Sequence, residues 1–267
     1  MTNIKELQKK ITAKFVPVNK KHIKDCIKKY ESYFLKYERL PHMLSLSKKY
    51  DQFEFCMKDI PNGTDTIILI DKNVNMKDEN EMGEITITLN YKYFNSSEIF
   101  DMLKIPNVGS FQMIGHIIHL NLIPEQYEYK KIYGEVFLMK NKNIKSVIYK
   151  TNSVHGIYRT FQFEVIAGID DLKTVHTENN INYYIDYEKV YWNSKLSAER
   201  MKLVTKCFKK GDIIADCTCG AGPLALLAAK MDFKVFANDL NPHAIECIKK
   251  SIKKNKKLIV TILCCII

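Results

Sequence analysis

Hydrophobic positions along this chain fall into two kinds of spacing, and their order sets the expected architecture. Near the N-terminus, Ile23, Cys26, Ile27, Tyr30, Tyr33 and Phe34 recur three and four apart in a lysine-rich stretch, the pattern of a helix with one apolar face. Pro61, Asn62 and Gly63 close that region with a turn signal. Residues 66–71 and 84–90 alternate or cluster β-branched side chains and predict two strands, separated by a polar loop over 73–81. A second break at Pro106 to Gly109 precedes an apolar block over 111–122. Short apolar runs at 134–139, 146–149, 161–167, 173–177 and 182–187 then predict a succession of strands. Helical spacing returns over 194–208, with Leu196, Met201, Val204 and Phe208 on one side.

The last segment carries the clearest chemistry. Residues 213–215 predict a short buried strand ending in Asp216, and a helix over 224–230 follows a turn containing Gly220 and Gly222. A second strand over 233–237 brings Asp239 to its carboxyl end, with Leu240 and Asn241 beside it. Glycines let the backbone turn sharply beside a ligand, and the helix start offers free N–H groups. A carboxylate at that strand end accepts hydrogen bonds from ribose hydroxyls. Two cofactors fit. Gly220-Ala-Gly222-Pro-Leu-Ala225 matches a dinucleotide fingerprint with an acid about 20 residues on. Asp216 just before the turn, and the Asn-Asp-Leu-Asn-Pro segment, argue for S-adenosylmethionine, whose charged amino acid end needs a holder.

Composition narrows the partners. Across 267 residues, 41 Lys+Arg against 30 Asp+Glu give a formal charge of +11, a field that attracts polyanions such as nucleic acid; a lysine-rich proteome is the plain alternative. The lysines of 1–30 and 249–257 are candidate phosphate contacts, and aromatic residues of 127–163 are candidates to stack an extruded base. Eight cysteines show no Cys-x-x-Cys pair, which argues against a zinc ribbon and for a reducing compartment. The longest apolar run, 258–267, is too short to cross a bilayer, and the N-terminus makes a poor transit peptide, so an intracellular chain with no membrane partner is expected. His116 and His119 have the look of metal ligands, but no third acidic ligand is apparent nearby and packing roles are expected. No metal is expected. Cys217 and Cys219 read as small turn residues rather than nucleophiles.

Five blocks in order make a family resemblance specific: Gly115-His-Ile-Ile-His-Leu-Asn-Leu122; Tyr158-Arg-Thr-Phe with Glu164-Val-Ile-Ala-Gly168; Val190-Tyr-Trp-Asn-Ser-Lys-Leu-Ser-Ala-Glu-Arg200; Asp216 to Pro223; and Asn238 to Pro242. On them the chain resembles the tRNA (guanine-37-N1)-methyltransferase family of archaea and eukaryotes. The resemblance implies methyl transfer from S-adenosylmethionine to N1 of guanosine 37 in tRNA. It puts Glu199 at the position of a general base and Arg159 at that of a cationic stabiliser. Arg200, Asp216, Asp239, Leu240 and Asn241 fall in the cofactor motifs, joined by Gly220 and Gly222 from the turn. Many eukaryotic members have His where this chain has Arg200. Guanine N1 becomes nucleophilic only once its proton leaves, so a partly buried carboxylate and a guanidinium facing O6 suit the task.

The expected fold is α/β: an N-terminal α+β region followed by the first half of a Rossmann-like class I methyltransferase domain. The expected domains are a variable lysine-rich region over 1–95, an α+β tRNA-methyltransferase N-terminal-type domain over 96–188, and a partial S-adenosylmethionine-binding domain over 189–267. Such a domain has about seven strands, whereas this chain has room for two and a third fragment at 259–267. A later acidic position touching adenine, and an Asn-Pro-type segment, have no counterpart here, so a C-terminally truncated family member is expected. The readings held beside methylation are a wybutosine-pathway aminocarboxypropyl transferase, a catalytically inactive tRNA-binding fragment and an NAD enzyme. Monomeric state is expected; the cytoplasm is the default compartment, and the resemblance adds nucleus and mitochondrial matrix.

Overall fold

A strand of 11 residues, β1 (Gln8–Val18), runs through the centre of the N-terminal sheet. The computed structural model describes residues 3–57, 60–73, 82–151, 157–158, 160–256 and 258–263. The chain divides into two units, residues 1–105 and 106–267. In the first, α1 (Ile23–Tyr30) realises the helical spacing read from the sequence. β2 (Met43–Ser45), β3 (Phe53–Met57), β4 (Thr66–Ile70) and β5 (Gly83–Asn90) follow, then α2 (Ser96–Met102). The sheet order is β2-β4-β1-β5-β3, with every pairing antiparallel. The strands expected at 66–71 and 84–90 are therefore present, whereas most of the loop expected over 73–81 lies outside the described residues. β1 itself was not read from the sequence. Its outer half is exposed and lysine-rich, and only Ala13, Phe15, Val16 and Val18 are buried.

The second unit opens with a hairpin, β6 (Phe111–Ile114) and β7 (Ile117–Leu120). Helix α3 (Lys130–Lys140) crosses over to β8 (Ser146–Lys150), which pairs parallel to β7, and β9 (Phe163–Gly168) completes the sheet β6-β7-β8-β9. Residues 134–139, expected as a strand, lie inside α3. An apolar run of that length fits either element, and here Tyr133, Gly134, Val136 and Phe137 bury one side of a helix. A second hairpin, β10 (Lys173–Glu178) and β11 (Ile181–Asp186), turns through Asn179 and Asn180, both at positive φ (51° and 55°). Paired left-handed residues match a two-residue turn to the strand twist, and asparagine tolerates that conformation.

After α4 (Ser197–Lys206) the chain runs β12 (Ile213–Asp216), α5 (Pro223–Lys230), β13 (Lys234–Ala237), α6 (Pro242–Lys254) and β14 (Thr261–Ile262). The three strands form a parallel sheet in the order β12-β13-β14. One core joins α5, α6, the sheet and β11, through Leu226, Leu227, Val235, Ile248, Ile181 and Tyr183. Helix α6 also satisfies an edge of β11. Cys247, Ser251 and Asn255, four residues apart, accept the N–H groups of Asp186 (3.4 Å), Tyr184 (2.8 Å) and Asn182 (2.9 Å). Four helical residues rise about 6 Å and two strand residues about 6.7 Å, so the two repeats run together.

Candidate active site

The carboxyl ends of β12 and β13 lie side by side, since Asp216 pairs with Ala237 across the parallel ladder. The loops leaving them are bonded to each other: Asn238 N–H donates to the Asp216 carbonyl and Cys219 N–H to the Asn238 carbonyl, both at 2.9 Å. Asp239 then reaches the glycine turn. Its Oδ2 accepts the Gly220 N–H at 2.7 Å, and its Oδ1 accepts the Asn241 N–H at 2.8 Å. A carboxylate has about four acceptor positions, so about two remain for a ligand. Asn241 caps α6 by accepting the His243 N–H at 3.0 Å and donates from Nδ2 to the Lys189 carbonyl at 2.7 Å.

The two turn glycines do different things. Gly222 (φ 84°) stands against α6, where a Cβ would lie 2.6 Å from Ile248 Cδ1. Gly220 (φ 55°) faces open space, its nearest neighbour being the Tyr191 carbonyl oxygen 4.0 Å from the Cβ position. The open side belongs to a cleft of about 480 Å³ lined by Tyr158, Val190, Tyr191, Thr218, Gly220, Asp239, Leu240 and Asn241, with Ile157 and Ala244. That volume lies in the range of small-molecule sites. Leu240 and Tyr191 expose 53% and 52% of their surfaces, offering flat apolar contact beside the carboxylate.

Asp216 sits half-buried below this turn. Burial pushes its carboxyl above the usual range; the N–H groups of Thr218 and Ala225 pull it down and the charge of Asp239 pushes it up. Asp216 is not among the residues that line the cleft. The buried Cys219 thiol is pushed up to about 12, first by burial and then by both aspartates, so it is no nucleophile.

Other sequence candidates are placed elsewhere. Arg159 lies outside the described residues. Glu199 stands in solvent, its side chain 71% exposed and 3.9 Å from Lys202, so the partial burial expected of it is absent among the described residues. Arg200 does not line the cleft: Nη2 bonds both oxygens of Glu178, at 2.7 and 2.8 Å. His119 shares a hydrogen bond of 2.9 Å with the Tyr187 hydroxyl, and His116 contacts the Asp171 carbonyl at 3.1 Å. Among the described residues no three His, Cys, Asp or Glu side chains converge on a metal position, and no helix is long and apolar enough to cross a membrane. Val190, Tyr191 and Thr218 are cleft residues that the site reading did not single out, although all three lie within the resemblance blocks.

Residues 102–171 match the TYW2 N-terminal domain family and residues 174–264 the TRM5/TYW2 methyltransferase domain family. A protein of Encephalitozoon cuniculi named tRNA (guanine(37)-N(1))-methyltransferase is 38% identical over 237 residues, covering 87% of this chain and 63% of that protein. The protein of the same name from Dictyostelium discoideum is 44% identical over 177 residues, covering 65% of this chain and 38% of its own length. This chain thus spans less than two thirds of the curated relatives it matches. Among solved structures, wild-type Trm5b from Pyrococcus abyssi superposes with a TM-score of 0.66 at 26% identity, over 95% of this chain and 71% of that one. TYW2 of P. horikoshii in complex with MeSAdo gives 0.51 at 25% identity, over 63% of this chain and 62% of that one. With two adjacent domain families matched in order and curated relatives at 38% and 44% identity, the chain belongs to the TRM5/TYW2 family.

Proposed function

We propose that the cleft binds S-adenosylmethionine and that the activity of the protein is methylation of N1 of guanosine 37 in tRNA. The observation that carries the reading is the Asp239 carboxylate, fixed by the Gly220 turn and facing a nucleoside-sized cleft. The sheet β12-β13-β14 with α5 and α6 is then the first half of a Rossmann-like class I methyltransferase fold. In this reading the free acceptor positions of Asp239 take ribose hydroxyls, Leu240 lies against the adenine, and Asp216 with Gly220 and Gly222 holds the charged amino acid end. Bound S-adenosylmethionine supplies a methyl group on a good leaving group. Glu199 takes the guanine N1 proton once RNA covers it. Arg159 bears the charge that develops at O6.

The names of the relatives support the tRNA substrate, as do the exposed lysines 249, 253 and 254 along α6. A second reading shares the cofactor: residues 102–171 match a TYW2 domain, in keeping with aminocarboxypropyl transfer. Incubation with S-adenosylmethionine and a tRNA transcript carrying guanosine 37, followed by nucleoside mass spectrometry, separates the two. A single methyl on guanosine 37 is expected; an aminocarboxypropyl adduct selects the second reading, and an unmodified transcript with retained cofactor binding contradicts catalysis by this chain.

A further inference from the structure

Arg200 and Glu178 form a buried ion pair next to the cleft without entering it; their side chains are 11% and 8% exposed. The guanidinium has two further contacts. Nη1 donates to the Asn193 carbonyl at 3.2 Å, and the group lies 5.5 Å from the ring centre of Trp192. Its Nε–H is buried without a partner among the described residues, a cost that the other contacts must offset. The touched residues belong to one short segment. Val190 and Tyr191 line the cleft, Trp192 is buried beneath the guanidinium, and the Asn193 carbonyl accepts from it. The Tyr191 carbonyl of that segment is the atom opposite the open face of Gly220.

We infer that Glu178 and Arg200 act as one positioning pair, which sets the Tyr191 wall of the cleft against the glycine turn. Glu178 fixes the guanidinium, the guanidinium fixes residues 192–193, and these fix the wall. The pair also ties β10 to the first turn of α4, where Glu199 stands. Neither residue is among those that line the cleft. Leaving the guanidinium buried without its carboxylate is strongly unfavourable, so it swings toward water and the wall follows. Lysine at 200 keeps the charge but lacks the fork that spans Glu178 and Asn193 together.

Trp192 is the only tryptophan in the chain, so its fluorescence reports the wall directly. The test compares wild type, Glu178→Gln, Arg200→Lys and the double variant by titration calorimetry with S-adenosylmethionine and by acrylamide quenching, at a temperature where far-ultraviolet circular dichroism matches wild type. Each single variant is expected to bind at least about tenfold more weakly and to be quenched about twofold more. The double variant should be no worse than the worse single one, because the two residues act as a unit. Should Glu178→Gln not fold, Glu178→Asp, which retracts the carboxylate by one methylene, is read in the same way. Weaker binding in Arg200→Lys with wild-type behaviour in Glu178→Gln would overturn the inference in favour of direct ligand contact. Lower melting temperatures with unchanged affinity and quenching would reduce the pair to a fold support and overturn it too. The ligand assay rests on the S-adenosylmethionine reading of the cleft. If wild type does not bind, that reading fails, and quenching alone decides the pair: increased in both single variants it stands, unchanged it falls.

Discussion

Asp239 holds Gly220: a carboxylate oxygen accepts the turn's N–H at 2.7 Å across 19 residues of sequence. The contact joins the two parts of the site that come from different strands, and it leaves the cleft side of the glycine open. Asp239 thus both shapes the turn and faces the cleft.

The unequal roles of the glycines predict unequal costs. Gly220→Ala forces alanine into a left-handed conformation but meets no atom closer than 4.0 Å, so it should destabilise by about 1–2 kcal/mol. Gly222→Ala carries the same backbone strain and also pushes against Ile248, adding about 1–3 kcal/mol. Urea denaturation of both variants measures the difference. Gly222→Ala/Ile248→Val, which trims one of the crowding methyls, should recover part of it.

Ser251 is fully buried; its hydroxyl accepts the Tyr184 N–H at 2.8 Å and donates to the Cys247 carbonyl at 2.8 Å. Ser251→Ala leaves a buried strand N–H without its acceptor and should cost about 1–3 kcal/mol. Amide hydrogen exchange should then accelerate first at Tyr184 and its neighbours in β11, while β12 and β13 stay protected.

His119 predicts a pH dependence. Burial, with the Lys150 charge adding to it, pushes its imidazole from 6.5 down to about 4. Below about pH 6.5 the unfolded chain takes up a proton that the folded chain refuses until about pH 4. Stability from this group is therefore present above pH 6.5 and is lost as pH falls through that window. The full effect is on the order of 3 kcal/mol. His119→Asn, which keeps an acceptor near the Tyr187 hydroxyl, should show a flatter urea-stability profile than wild type between pH 6.5 and 4.5. Parallel profiles would show that this imidazole does not stay neutral.

Much of the site was legible in the chain because its parts are local. Asp216, Gly220, Gly222, Asp239, Leu240 and Asn241 follow strand, turn, helix and strand within 26 residues, where short-range spacing fixes the geometry. Arg200 falls in a cofactor motif, which does not reveal its ion pair. Its partner Glu178 lies 22 residues earlier, on a hairpin rather than on α4, and no periodicity relates them. The same limit hid β1, whose lysines mask the alternation of Ala13, Phe15 and their neighbours and whose place is set by pairing with the distant strands β4 and β5. The apolar stretch of α3 alone carries no period and so fits a strand as well as a helix. Glu199 shows a different limit, since a motif gives a residue's position but not its solvent exposure.

In the proposed reading Asp239 and the glycine turn hold a nucleoside-bearing sulfonium ligand. Isothermal titration of S-adenosylmethionine into the 267-residue chain and into its Asp239→Ala variant tests it most directly. Losing charge-assisted hydrogen bonds of about 1.5–3 kcal/mol should weaken binding by at least about tenfold, so saturable binding to the parent chain is expected, with a loss of that size in a variant that remains folded. No binding to the parent chain, or equal affinity in both, would contradict it.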